Sequence, residues 1–154
     1  LESSTITPTR KFDALIFQHS LEHVAAPRTT LSRAREYLVP GGTVLITLPN
    51  FGSAQRRRFG TYWFHLDLPR HRTHFTAVGL TDALHFSGFS NVDLSTSTSP
   101  DGFAMSEYYR RFEHAPESLT RRLIAAGAGI ATGRLVDAFT ADGDILHASC
   151  QMIP

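Results

Sequence analysis

The segment "FDALIF" (12–17) is a short, nearly continuous apolar run, the pattern of a strand buried on both faces. In "PRTTLSRAREYL" (27–38), Leu31, Ala34 and Leu38 share one helical face, and Pro27 suits the first turn. "VPGG" (39–42) predicts the end of that helix, with Gly41 as its left-handed cap. "TVLITLPN" (43–50) is a second apolar strand, halted by Pro49. Strand, helix, strand with short links makes a βαβ unit, so the two strands are expected to run parallel through a right-handed crossover.

Residues 50–75 show no clear period. An irregular stretch of about 26 residues inside a compact domain is usually functional rather than connective. "TAVGLTDALHFSGF" (76–89) predicts a helix with Leu80, Ala83 and Leu84 inward and Gly88 as cap. "NVDLSTST" (91–98) alternates like a strand near a sheet edge. "AMSEYYRRFEHAP" (104–116) and "ESLTRRLIAAGAGIATGRLVDAF" (117–139) read as helices, the second weakened by its glycines. "GDILHASCQMI" (143–153) alternates again, with Leu146, Ala148, Cys150 and Met152 on one side, and is expected to be an antiparallel closing strand. The whole chain, 1–154, thus reads as one domain: the second half of a doubly wound α/β sheet.

Composition narrows the possible partners. A net charge of +1 gives no bulk attraction toward nucleic acid or an anionic membrane. No apolar run approaches the ~20 residues of a membrane span. The single cysteine, Cys150, excludes an internal disulfide framework and a cysteine-based zinc site, and fits a cytoplasmic protein. On its strand it falls on the apolar side, as a packed thiol. The chain opens "LESSTITPTR", without an initiator methionine, and is expected to be part of something longer.

Two stretches hold candidate chemistry. "HSLEH" (19–23) matches H-x-x-E-H, in which His19 and His23 would bind zinc and Glu22 would polarise a metal-bound water, making a zinc hydrolase. That motif requires a helix, whereas here it follows directly on an apolar strand. In open α/β sheets, ligands bind beyond the carboxyl ends of the strands. Gln18, His19 and Ser20 occupy that place for the first strand, and Pro49, Asn50 and Phe51 for the second.

The second stretch, "WFHLDLPRHRTHF" (63–75), packs Trp63, Phe64, Phe75, three histidines, two arginines and Asp67 together. His71 and His74 lack a clear third ligand for a metal. The near-neutral chain argues against a stacking platform for single-stranded nucleic acid. What remains is a lid over the strand ends, aromatic side chains inward. "RRR" (56–58) is expected to be solvated, His85, His114 and His147 to be structural, and Tyr108 and Tyr109 to divide between core and surface.

The ordered series "FD", "LEH", "P…L", "L.PGG", "PN", "PRH..HF" and "GF", between about residues 10 and 89, resembles the C-terminal half of a class I S-adenosylmethionine-dependent methyltransferase. The resemblance implies a Rossmann-like, doubly wound sheet, incomplete on its N-terminal side, with an antiparallel last strand. It implies an enzyme using S-adenosylmethionine on a small-molecule acceptor, with residues 50–75 as the active-site lid. Gln18, His19 and Ser20 match the region that touches the methionine part of the cofactor. Under the same reading His19, His71 and His74 are candidate bases, and Asn50, Phe51, Trp63 and Phe64 candidate walls of the acceptor pocket.

The family's glycine-rich turn and its ribose-binding acid are absent from this sequence. Ala26 stands where relatives often carry an acid, and Arg72 where they often carry an aliphatic residue. The strand at 12–17 would then have a free edge, which invites a homodimer. A non-catalytic binding or assembly module with the same remnant fold is the alternative.

Overall fold

The computed structural model describes residues 10–99, 101–112 and 142–153. Four strands, β1 (Phe12–Gln18), β2 (Leu38–Pro49), β3 (Phe89–Ser97) and β4 (Ile145–Met152), form one open sheet in the order β1-β2-β4-β3. β1 runs parallel to β2, whereas β4 is antiparallel to both of its neighbours. The expected antiparallel last strand is therefore present, and it lies inside the sheet, between β2 and β3. The helices are α1 (Pro27–Glu36), α2 (Ala54–Phe59), α3 (Ala77–Phe86) and α4 (Gly102–Phe112). The helix expected over 117–139, and His114, lie outside the described residues.

Alternation builds the core. Val44, Ile46 and Leu48 of β2 are buried while Leu45 between them is 41 % exposed. The buried row meets Leu31 of α1, Leu80 and Leu84 of α3, Phe89 of β3 and Leu146 of β4 in one apolar cluster. Full burial of each such side chain is worth roughly 1.5–3 kcal/mol. α3 starts where the Thr76 hydroxyl accepts from the Gly79 N–H (3.1 Å), and Gly88 follows its last turn with φ +81°, as its cap requires.

Two expectations are corrected. β1 is not buried on both faces: Phe12 is 48 % exposed and Ile16 68 %. Among the described residues it pairs only with β2, so one long edge and much of its surface stay uncovered. Likewise, the first helix stops at Glu36, capped by Tyr37, and "LVPGG" already belongs to β2. Gly41 does adopt φ +76°, but inside β2, where the pairing with β1 slips between Phe12–Leu38 and Ala14–Thr43. A bulge, rather than a helix end, is what that glycine serves.

Candidate active site at the strand ends

The chain leaves β1 at His19, whose φ of +45° turns it sharply away from the sheet. A single 3-10 turn, Leu21–His23, follows. Leu21 is fully buried in the main core and plugs this turn onto the sheet. "HSLEH" is thus a strand tip and a tight turn, so the helical spacing that the zinc-hydrolase motif needs is not there.

Beyond β2 the chain is pinned by Asn50. Its side-chain N–H donates to the Gly143 carbonyl (2.9 Å), and its side-chain oxygen accepts from the Gly52 N–H (2.9 Å). A parallel bridge pairs Asn50 with Phe75 and closes the two ends of segment 50–75 on each other. Between these anchors lie α2, capped by the Ser53 hydroxyl accepting from Arg56 N–H (3.1 Å), and two further 3-10 turns. Trp63, 1 % exposed, packs with Phe59 and Phe103 as a second apolar cluster beneath the lid.

A buried polar junction fixes segment 50–75. Asp144, fully buried just before β4, accepts from the Ser99 N–H (2.7 Å) and hydroxyl (2.6 Å), and from His65 Nε2–H (3.0 Å). The Ser99 hydroxyl also accepts from Gly102 N–H (3.0 Å) at the start of α4. The Ser106 hydroxyl donates to the Gly102 carbonyl (2.7 Å) and accepts from Phe64 N–H (2.9 Å). A Cβ on Gly102 would collide with Ser99 and Asp144, so only glycine fits there.

A cleft of about 450 Å³ opens between the tip of β1, the lid and α4. His19, Glu22, Thr61, Trp63, Phe64, His65, Leu66, Asp67, Leu68, Arg70, His71 and Tyr109 line it. Of the residues singled out in the sequence, the cleft brings together His19, His71, Trp63 and Phe64. Gln18 and Ser20 are exposed beside it, and Asn50 is a buried anchor behind it. Phe51 and His74 stack on each other (4.9 Å, 4° between planes), with the Arg56 guanidinium 4.5 Å from the Phe51 ring centroid, away from the lining. Burial, then the charges of His71 and Arg56, hold His74 below the ordinary histidine value of 6.5.

Sequence reasoning missed His65, Tyr109, Asp144, Ser99 and Ser106. His65 sits in the stretch already singled out as rich in aromatic side chains, and Tyr109 in a segment read only as a helix. Asp144 meets Ser99 across 45 residues and Ser106 meets Phe64 across 42.

A family model described as a methyltransferase domain matches residues 2–94, more than half of the chain. The chain belongs to this methyltransferase-domain family. No curated protein matches it. A SAM-dependent methyltransferase from Thermotoga maritima superposes with a TM-score of 0.57 at 15 % identity, covering 94 % of this chain and 59 % of the other. Phosphoethanolamine N-methyltransferase 2 of Haemonchus contortus, in complex with S-adenosyl-L-methionine, gives 0.55 at 14 % identity, covering 93 % and 34 %. The cyclase SpnF gives 0.54 at 17 % identity, covering 98 % and 53 %. The chain thus spans between 34 % and 59 % of the length of these proteins. At such identities they share its Rossmann-like sheet and not, by that fact, its chemistry. Among the described residues no helix is long and apolar enough to cross a membrane.

Proposed function

We propose that the polypeptide containing this chain transfers the methyl group of S-adenosylmethionine to a small-molecule acceptor held in the cleft. The observation that carries this reading is the meeting of an exposed strand tip with an aromatic-lined cleft at the carboxyl ends of parallel strands, in a chain of the methyltransferase-domain family. Residues 50–75 form the lid of that site.

The exposed residues Gln18, His19 and Ser20 fit the methionine end of the cofactor; residues for the nucleoside end are not among those described. When bound, S-adenosylmethionine supplies an electrophilic methyl group on a sulfonium. This chain's share is alignment. Holding acceptor and methyl at about 3–3.5 Å removes roughly 7–11 kcal/mol of barrier. Trp63 and Phe64 provide the apolar wall that excludes water. Asn50 and Phe51 act one layer back, Asn50 by closing the lid onto β2 and Phe51 by supporting Trp63 (ring centroids 6.1 Å apart).

Where the acceptor loses a proton, we assign the base to His19. Its side chain is 45 % exposed at the strand tip, and its Nδ1 lies 3.5 Å from Glu22 Oε1. His71 also lines the cleft, but its Nδ1 is committed to the His65 carbonyl (2.8 Å). His74 stands behind it, ring centroids 6.3 Å apart. Calorimetry of S-adenosylhomocysteine with the full-length polypeptide tests the reading. Stoichiometric binding, and a loss of roughly 10²–10⁴ in kcat for His19→Ala, are expected for a protonated acceptor. Absence of binding overturns it.

The open edge of β1 supports a homodimer in which two such edges pair, or a further strand from the same polypeptide. Sedimentation velocity of the full-length protein separates the two. The lone buried Cys150 accords with a cytoplasmic location.

A further inference from the structure

We propose that Glu22, His23 and His71 form a binding site for one divalent transition-metal ion of the zinc class, at the seam between the turn after β1 and the lid. One potential ligand atom from each residue lies within 4.8 Å of the other two. Glu22 is 2 % exposed, and neither carboxyl oxygen has a hydrogen-bond partner. Its nearest candidate, His19 Nδ1, is 3.5 Å away. A buried carboxyl left so is costly unless a ligand satisfies it.

The histidines are set up to be that ligand's other partners. His23 Nδ1 lies 3.0 Å from the Arg70 carbonyl, and His71 Nδ1 2.8 Å from the His65 carbonyl. A carbonyl oxygen only accepts, so in each ring Nδ1 carries the hydrogen and Nε2 keeps the lone pair for a metal. Backbone carbonyls on the far nitrogen are the usual supports of metal-binding histidines, since they fix tautomer and ring orientation. Asp67 Oδ2 stands 3.7 Å from His71 Nε2, beyond hydrogen-bond reach.

The frame precedes the ion. The Glu22 carbonyl accepts from both Arg72 N–H (2.8 Å) and Thr73 N–H (3.1 Å), which locks the lid segment carrying His71 onto the turn carrying Glu22 and His23. The His23 and His71 rings meet edge to face at 4.8 Å. His23 is exposed, so an ion reaches the site from solvent. Two imidazoles and one carboxylate suit Zn²⁺ and Co²⁺, and three protein ligands leave a coordination position for water or an oxygen of a cleft-bound molecule. The site differs from the H-x-x-E-H reading: His71 on the lid, 48 residues beyond His23, takes the place of His19.

The test uses the full-length protein, stripped by chelator and titrated with Co²⁺ as optical probe, then with Zn²⁺ as competitor. One equivalent of Co²⁺ should bind with visible absorption and be displaced by Zn²⁺. Glu22→Gln and His71→Asn should each weaken binding at least 10-fold, while His85→Asn on the exposed face of α3 should not. X-ray absorption of the zinc-loaded wild type needs no variant, and should show two imidazoles and one carboxylate oxygen. Absence of a saturable equivalent, undiminished binding in both ligand variants, or scattering with fewer than two imidazoles overturns the proposal. Because these readouts are of metal and not of turnover, they stand or fall apart from methyl transfer.

Discussion

Replacing Asp144 by alanine should unlock the lid before it disturbs the sheet. The residue is fully buried and accepts three hydrogen bonds, two from Ser99 and one from His65. A hydrogen bond to such a group contributes about 1.5–3 kcal/mol, and each buried donor left unpaired costs about 1–3 kcal/mol. These terms overlap, so the net loss for Asp144→Ala is about 3–5 kcal/mol, the range seen when one partner of a buried polar cluster is deleted. Asp144→Asn keeps the volume and can still accept from Ser99 N–H, but its amide N–H₂ faces the His65 donor. Its loss should be smaller, about 1–3 kcal/mol. Urea unfolding of the full-length protein, followed by far-ultraviolet circular dichroism and by Trp63 fluorescence, measures both variants. The alanine variant should lower the midpoint read by Trp63 further than the midpoint read by circular dichroism. A loss under ~1 kcal/mol for Asp144→Ala, or equal losses in both variants, would refute the reasoning.

Glu22→Gln, in chelator-treated protein, should leave the unfolding midpoint unchanged or raise it, because the carboxyl has no hydrogen bond to lose; a fall of more than ~1 kcal/mol would reveal a partner. His74 sets a pH window. Burial holds its folded value below 6.5, so the unfolded chain binds more protons just under that pH, and stability present in full above pH 6.5 is lost on acidification. His74→Phe should flatten melting temperature against pH between about 6.5 and the folded value, and an unchanged slope would contradict this. Burial pushes the Cys150 thiol up to about 11 from 9.0, against a weak hydrogen bond to the Val44 carbonyl (3.8 Å). At pH 8.5 iodoacetamide should therefore alkylate native protein about 100-fold more slowly than unfolded protein, and its share of stability should fade as pH rises from 9 through 11. Equal rates would show that the thiol is not enclosed.

The strands were legible because burial imposes its period on the sequence: Val44, Ile46 and Leu48 point inward whatever the rest of the chain does. β1 misled for the same reason. Its continuous apolar run predicts two covered faces, yet among the described residues Phe12 and Ile16 stay exposed. Gly41 was read correctly as left-handed and wrongly as a helix cap, since a glycine announces its backbone and not its element. α2 was missed although Ser53 before "AQRRRF" is an N-cap signal, because six residues give no apolar period. The site was legible only as a place. That ligands gather beyond strand ends pointed to residues 18–20 and 50–51, and aromatic density pointed to 63–75. Which side chains face inward is decided by pairs such as His65–Asp144, 79 residues apart, and no local pattern encodes those.

The two buried acids at this end of the sheet show how the fold divides its work. Asp144 spends every acceptor on tying β4, α4 and the lid together, and Gly102 leaves no room for anything else beside it. Glu22 is as deeply buried, is held through its backbone by Arg72 and Thr73, and keeps both carboxyl oxygens unused at the edge of the cleft. A chain selected for stability alone would fill that position with an apolar side chain, since an unpaired buried carboxyl gains nothing for folding. Under the metal-site proposal an ion meets that carboxyl, and the turn after β1, held at the Glu22 carbonyl by Arg72 and Thr73, presents it.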